Sequence, residues 1–200
     1  MEFFNTLTNV FYAIFRLKEL DQSPIAAGNM PQKITLSHDG RSAYVINAAD
    51  NTINVFSRNI VNGELTLLEV GAKLPTGKLP VDMVISNDDR FLYVTNLNSS
   101  TVYEYQRYGN VLKLYAKLKT LSSPIEISIS NDDKYLYIAN SGDNVTSQYT
   151  INQLDGSIEP DAKPTVACGS LPTAMAASQK NKLILVTAQQ TDELYLYKIN

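Results

Sequence analysis

Three charged residues set far apart in the chain share one position in a recurring pattern. Counted from a proline, Lys33, Asp82 and Glu126 are each the third residue of a segment that appears four times, with Ala174 in the fourth copy. If the copies fold alike around one axis, the two carboxylates and the lysine encircle it together. Such a set can bind a cation or a small polar ligand. Asp82 and Glu126 can also serve as a general acid–base pair, or the three can neutralise one another as a solvated group. Other chemistry-bearing residues are sparse. His38 is the only histidine and Cys168 the only cysteine, so no Cys/His set for zinc and no disulfide within the chain is available. No phosphate-binding glycine loop or dinucleotide fingerprint occurs either. No catalytic residue, cofactor or metal is therefore expected. Cys168, in the apolar run Thr165-Val166-Ala167-Cys168, reads as a small buried side chain, and His38 as a plain turn residue.

The elements that would position Lys33, Asp82 and Glu126 are legible in the repeat. The copies are PQKITLSHDGRSAYVIN (31–47), PVDMVISNDDRFLYVTN (80–96), PIEISISNDDKYLYIAN (124–140) and PTAMAASQKNKLILVTA (172–188), and none carries an insertion relative to the others. A period of about 45 residues with strand-type content indicates radial sheet modules. In the second copy, 82–86 and 91–95 are β-rich runs joined by Asn87-Asp88-Asp89-Arg90, whose side chains favour a turn. A third strand at 101–106 and a fourth at 111–116 flank the hairpin signal Gly109-Asn110. Asn62-Gly63 and Asp155-Gly156 repeat that hairpin. The fourth strand of the third copy is expected to be the weakest, broken by Pro160 and Pro164, as suits an outer edge. Asn47, Asn96 and Asn140 close the second strand and read as turn caps.

The predicted fold is all-β: a β-propeller of about four blades, each a four-stranded antiparallel sheet. It is a closed four-blade ring, half of an eight-blade, two-chain ring, or a piece of a longer propeller. Residues 1–15 form an N-terminal segment, an extra strand or a short helix, and 16–200 form the blades. The fourth copy reaches only its third strand, 193–198, so residues 16–27 are expected to supply the outer strand there and cover an exposed edge.

Composition narrows the partners. The chain has 200 residues, 44% hydrophobic and 18% charged, with a net charge of −3 and a sequence pI near 5.2. Scattered basic residues and an acidic balance argue against nucleic acid. No run of 18 apolar residues indicates a membrane span. The N-terminus lacks a basic n-region and a small-residue cleavage site, so the chain reads as cytoplasmic, with secretion without a cleaved signal left open.

Tyr44-Val45-Ile46-Asn47, Tyr93-Val94-Thr95-Asn96 and Tyr137-Ile138-Ala139-Asn140, each preceded by Ser-x-Asp-(Gly/Asp)-(Arg/Lys), resemble the YVTN-type β-propeller repeat. The pattern is also similar to lactonase-type propellers, which include a 6-phosphogluconolactonase and usually have seven blades. The resemblance implies a Pro-Arg-His motif before the first strand and Asn-Glu after the second. Here those positions in the second copy read Pro80-Val81-Asp82 and Asn96-Leu97, and no other copy restores the set. The expectation is accordingly a non-enzymatic module that binds a protein partner, another copy of itself or a small polar ligand. The alternative is a lactonase-like hydrolase of sugar-derived lactones.

Overall fold

The computed structural model describes residues 19–68, 73–178 and 182–199. Among them no helix occurs, and the strands form four consecutive antiparallel sheets, the blades of a propeller. Blade one contains β1 (Pro31–Leu36), β2 (Ser42–Asn47) and β3 (Thr52–Arg58), with an outer strand in two pieces, β4 (Leu65–Leu67) and β5 (Lys73–Pro75), both paired to β3. Blade two contains β6 (Pro80–Ile85), β7 (Phe91–Asn96), β8 (Thr101–Tyr108) and β9 (Val111–Lys119). Blade three contains β10 (Pro124–Ile129), β11 (Tyr135–Asn140), β12 (Val145–Ile151) and β13 (Ile158–Ala167). Blade four contains β14 (Pro172–Ser178), β15 (Leu183–Ala188) and β16 (Glu193–Lys198). The innermost strands touch in the order β1–β6–β10–β14. Contact of that extent is not made between β14 and β1 among the described residues.

The Ser-x-Asp signature has a local cause. Ser37, Ser86 and Ser130 each donate their hydroxyl to the aspartate two residues on, at 2.6, 2.7 and 2.7 Å. The next residue must then adopt positive φ, and Gly40, Asp89 and Asp133 do so at 68°, 61° and 56°. Glycine pays no steric penalty there, and aspartate tolerates the region better than most side chains. The two aspartates use that conformation to clasp the preceding blade. Asp89 accepts the backbone N–H groups of His38 (2.7 Å) and Asp39 (2.8 Å), and Asp133 accepts those of Asn87 (2.8 Å) and Asp88 (3.3 Å).

Packing between blades supplies the core. Tyr44, Ile46, Ile53 and Val55 of blade one meet Met83, Ile85 and Val94 of blade two. Tyr93 and Val102 then meet Ile127 and Ile138, and Tyr137 and Ala139 meet Met175 and Val186. The second strands of blades one to three are buried on both faces, β7 at every residue, which is why they read as near-continuous apolar runs. Ile34 and Leu36 hold the register of Met83 and Ile85 but lie 59% and 52% exposed, since no blade covers that face among the described residues.

Two expectations are corrected. Residues 19–27 form no strand, and Gln22 instead brackets Leu65, donating to its carbonyl (2.9 Å) and accepting its N–H (2.6 Å). They therefore serve blade one, and β16 ends a three-stranded sheet. The segment 1–15 lies outside the described residues. The outer strand of blade three is also not the weakest among the described residues, running ten residues where that of blade one is two pieces of three. Its two prolines nevertheless leave a mark, because pairing with β12 lapses between Pro160 and Thr165, where two N–H donors are missing nearby.

Candidate functional site

Every blade has the same irregularity at the start of its inner strand. The register shifts between Pro31 and Lys33, Pro80 and Asp82, Pro124 and Glu126, and Pro172 and Ala174. One extra residue is looped out each time, a β-bulge of the kind that re-aims a side chain. The residue before each proline, Met30, Leu79, Ser123 and Leu171, has φ of 51–55°. These turns and bulges bring the third residue of each blade to the same end of the propeller.

Lys33, Asp82 and Glu126 do converge there. Lys33 Nζ lies 2.6 Å from Asp82 Oδ1. Asp82 is only 2% exposed, and its Oδ2 accepts the Ile127 N–H at 3.0 Å. One carboxylate thus ties three blades together. The Lys33 side chain is 39% exposed. Burial alone would lower its pKa, but the hydrogen bond and charge of Asp82, with the charge of Glu126, raise it instead. Lys33 is therefore firmly cationic. Glu126 is half-buried, and burial first, then the negative charge of Asp82, pushes its carboxyl up to about 7. Lys33 pulls the other way, while a hydrogen bond shared with Asp82 favours the protonated form. A carboxyl divided between its two forms near neutrality is suited to taking up and returning a proton. Ala174 adds nothing polar.

The remaining sequence candidates fall into structural roles. Asn47, Asn96 and Asn140 are fully buried caps. Asn47 accepts the Gly28 N–H (2.9 Å), Asn96 accepts the Thr76 hydroxyl (2.9 Å), and Asn140 donates to Ser147 Oγ (2.9 Å). Cys168 is buried between blades three and four, and burial raises its thiol pKa. His38 sits at the opposite end, its ring Nδ1 3.0 Å from Asp89 Oδ1. Beside it Arg107, its side chain 7% exposed, pairs with Asp39 at 2.8 Å and lies 3.8 Å from Asp89. Burial alone would raise the Asp39 carboxyl, but hydrogen bonds from Ser37 and Arg107 hold it well below the usual range. Of the strand tyrosines, Tyr105 is buried at the junction of blades one and two and donates to the Pro75 carbonyl.

Sequence reasoning missed one buried acid. Glu104, in β8, is 3% exposed and accepts the Ile158 N–H at 3.3 Å. Its register matches Val55, Gln148 and Leu196 in the other blades, so comparing copies would have exposed it as the one charge in an apolar or neutral column. Two cavities, of about 540 and 340 Å³, open at the junction of blades three and four. Neither is lined by Lys33, Asp82 or Glu126, and neither brings two carboxylates together. No helix among the described residues is long and apolar enough to cross a membrane.

Comparison with known proteins places this geometry in context. The family model described as Lactonase, 7-bladed beta-propeller matches residues 4–125 and again 111–200. No curated protein matches the chain in sequence. Among solved structures, a proposed 6-phosphogluconolactonase from Bacteroides uniformis superposes with a TM-score of 0.77 at 18% identity, over 85% of this chain and 50% of its own. A second, from Bacteroides fragilis, gives 0.76 at 18% identity, over 93% and 55%. A periplasmic gluconolactonase from Pseudomonas aeruginosa gives 0.75 at 20% identity, over 85% and 50%. At these identities the likeness is one of fold. The chain spans about half the length of each.

Proposed function

The chain belongs to the lactonase family of seven-bladed β-propellers, and on that footing we propose that it hydrolyses sugar-derived lactones at the inner-strand mouth, with Glu126 as general base. The observation that carries this is the Glu126 carboxyl, held near neutrality beside the Lys33–Asp82 pair. Glu126 in its ionised form takes a proton from water, which attacks the lactone carbonyl. Lys33, through an ammonium N–H that Asp82 does not occupy, donates a hydrogen bond to the oxyanion that develops. When the ring C–O bond breaks, Glu126 returns the proton to the departing oxygen, leaving an open-chain hydroxy acid. Asp82, anchored by Ile127, positions Lys33 rather than reacting.

The reading departs from the lactonase-type set, since Val81, Asp82 and Leu97 stand where the resemblance implies arginine, histidine and glutamate. That departure supports the alternative, a module that binds a protein partner, a second copy or a small polar ligand without turnover. Proton release from glucono-δ-lactone, measured above its spontaneous hydrolysis, decides between them. Loss of a general base costs roughly 10²–10⁴ in rate, so Glu126→Gln should fall by at least the lower figure. A wild-type rate equal to buffer, or a Glu126→Gln variant as active as wild type, refutes the hydrolase.

A further inference from the structure

We propose that the inner-strand mouth selects an uncharged lactone and rejects its phosphorylated counterpart, because Asp82 cancels the one cation among the three clustered charges. This rests on the hydrolase reading and adds the substrate class. Recognition of a phosphate needs uncompensated positive charge, a bidentate guanidinium or a helix N-terminus. Lys33 is compensated, with its Nζ 2.6 Å from Asp82 Oδ1. Asp82 cannot swing away, being buried and fastened through Oδ2 to the Ile127 N–H. Glu126 then leaves the group with net negative charge whenever it is ionised.

The surrounding loops carry the same sign. The segments that precede each inner strand (28–30, 76–79, 120–123, 168–171) and the turns that follow each second strand (48–51, 97–100, 141–144, 189–192) surround this end of the propeller. They contain one lysine, Lys78, against Asp50, Asp143 and Asp192. Asp50 holds the Asn29 N–H at 2.8 Å and Asp143 that of Ser122 at 2.6 Å, so both carboxylates are fixed at the rim. No helix N-terminus is available among the described residues. A sugar lactone is shorter than the Debye length of about 8 Å at physiological salt, so a phosphate on its far carbon still feels this field wherever the ring lies.

The test pairs turnover with binding. Glucono-δ-lactone and its 6-phosphate are compared by kcat/KM. The corresponding lactams, which resist hydrolysis, are compared by calorimetry. A dianion facing about one net negative charge at this range should lose on the order of tenfold or more in both measurements. Asp82→Asn keeps an oxygen for Ile127 but frees Lys33, and should narrow that gap. Lys33→Gln, at a partly exposed position, should widen it. Equal or better binding of the phosphorylated lactam overturns the inference. So does a gap that neither variant changes. Turnover of neither lactone, with the lactam preference intact, removes the hydrolase reading but leaves the selectivity standing. Failure of both lactams to bind overturns the inference, and the hydrolase reading then stands or falls on turnover of glucono-δ-lactone alone.

Discussion

Replacing Glu104 by glutamine should stabilise the protein at pH 8 and change it little at pH 4. Glu104 is buried at the junction of blades two and three. Burial pushes its carboxyl from the ordinary 4.5 up to about 7, with the negative charge of Asp155 adding to the rise and the Ile158 N–H opposing it. Between those two values the folded protein holds a proton that the unfolded chain has released. Stability therefore falls as pH rises through this window. Below 4.5 the group is neutral in both states and costs nothing. Above 7 the full interval applies, and at about 1.4 kcal/mol per unit the penalty approaches ~3 kcal/mol. Glutamine keeps the shape and an oxygen for Ile158 but carries no charge to bury. For a chain of this size each kcal/mol moves the melting temperature by about 2–4 °C, so Glu104→Gln should melt roughly 6–12 °C higher than wild type at pH 8. Thermal melts of both proteins at pH 4 and pH 8 provide the check. An equal effect at the two pH values, or no stabilisation at pH 8, would refute the account of a buried charge.

Three further outcomes follow from the same geometry. Asp89→Ala leaves the N–H groups of His38 and Asp39 without their acceptor and Arg107 with Asp39 in place of two carboxylates, and urea denaturation should register a loss of about 2–4 kcal/mol. Gly156→Ala, at φ 79° with its new Cβ 2.2 Å from Phe91 Cδ1, should destabilise by more than ~2 kcal/mol; Gly109→Ala, at φ 61° with open space around it, should cost only the ~1–2 kcal/mol of the left-handed conformation. If Glu126 is the base, kcat/KM for lactone should rise with pH through a midpoint near 7, and a profile flat between pH 5 and 9 would contradict that role.

The four-blade architecture was readable in the sequence because its causes are local and repeated. Ser-x-Asp turns, Asn-Gly and Asp-Gly hairpins and near-continuous apolar second strands recur at one period, so each copy supports the reading of the others. The shared register of Lys33, Asp82 and Glu126 followed from that repeat alone, and the structure brings the three together. Glu104 could have been found the same way, as a lone charge in an otherwise uncharged column.

What the repeat could not disclose is what depends on neighbouring blades. The bulge after each proline is a pairing irregularity, visible only once β1 meets β2 and its counterparts meet theirs. The anchoring of Asp82 uses a backbone N–H of Ile127, a group that every residue but proline carries and that no sequence pattern marks. The place of residues 19–27 was misjudged because their contact with Leu65 runs through the side chain of Gln22, not through strand pairing. Local chemistry fixed which strands form and which side chains share an end of the propeller. Burial and through-space charge, which exist only in the assembled fold, decided that Lys33 is compensated and that the carboxyls of Glu126 and Glu104 are held near neutrality.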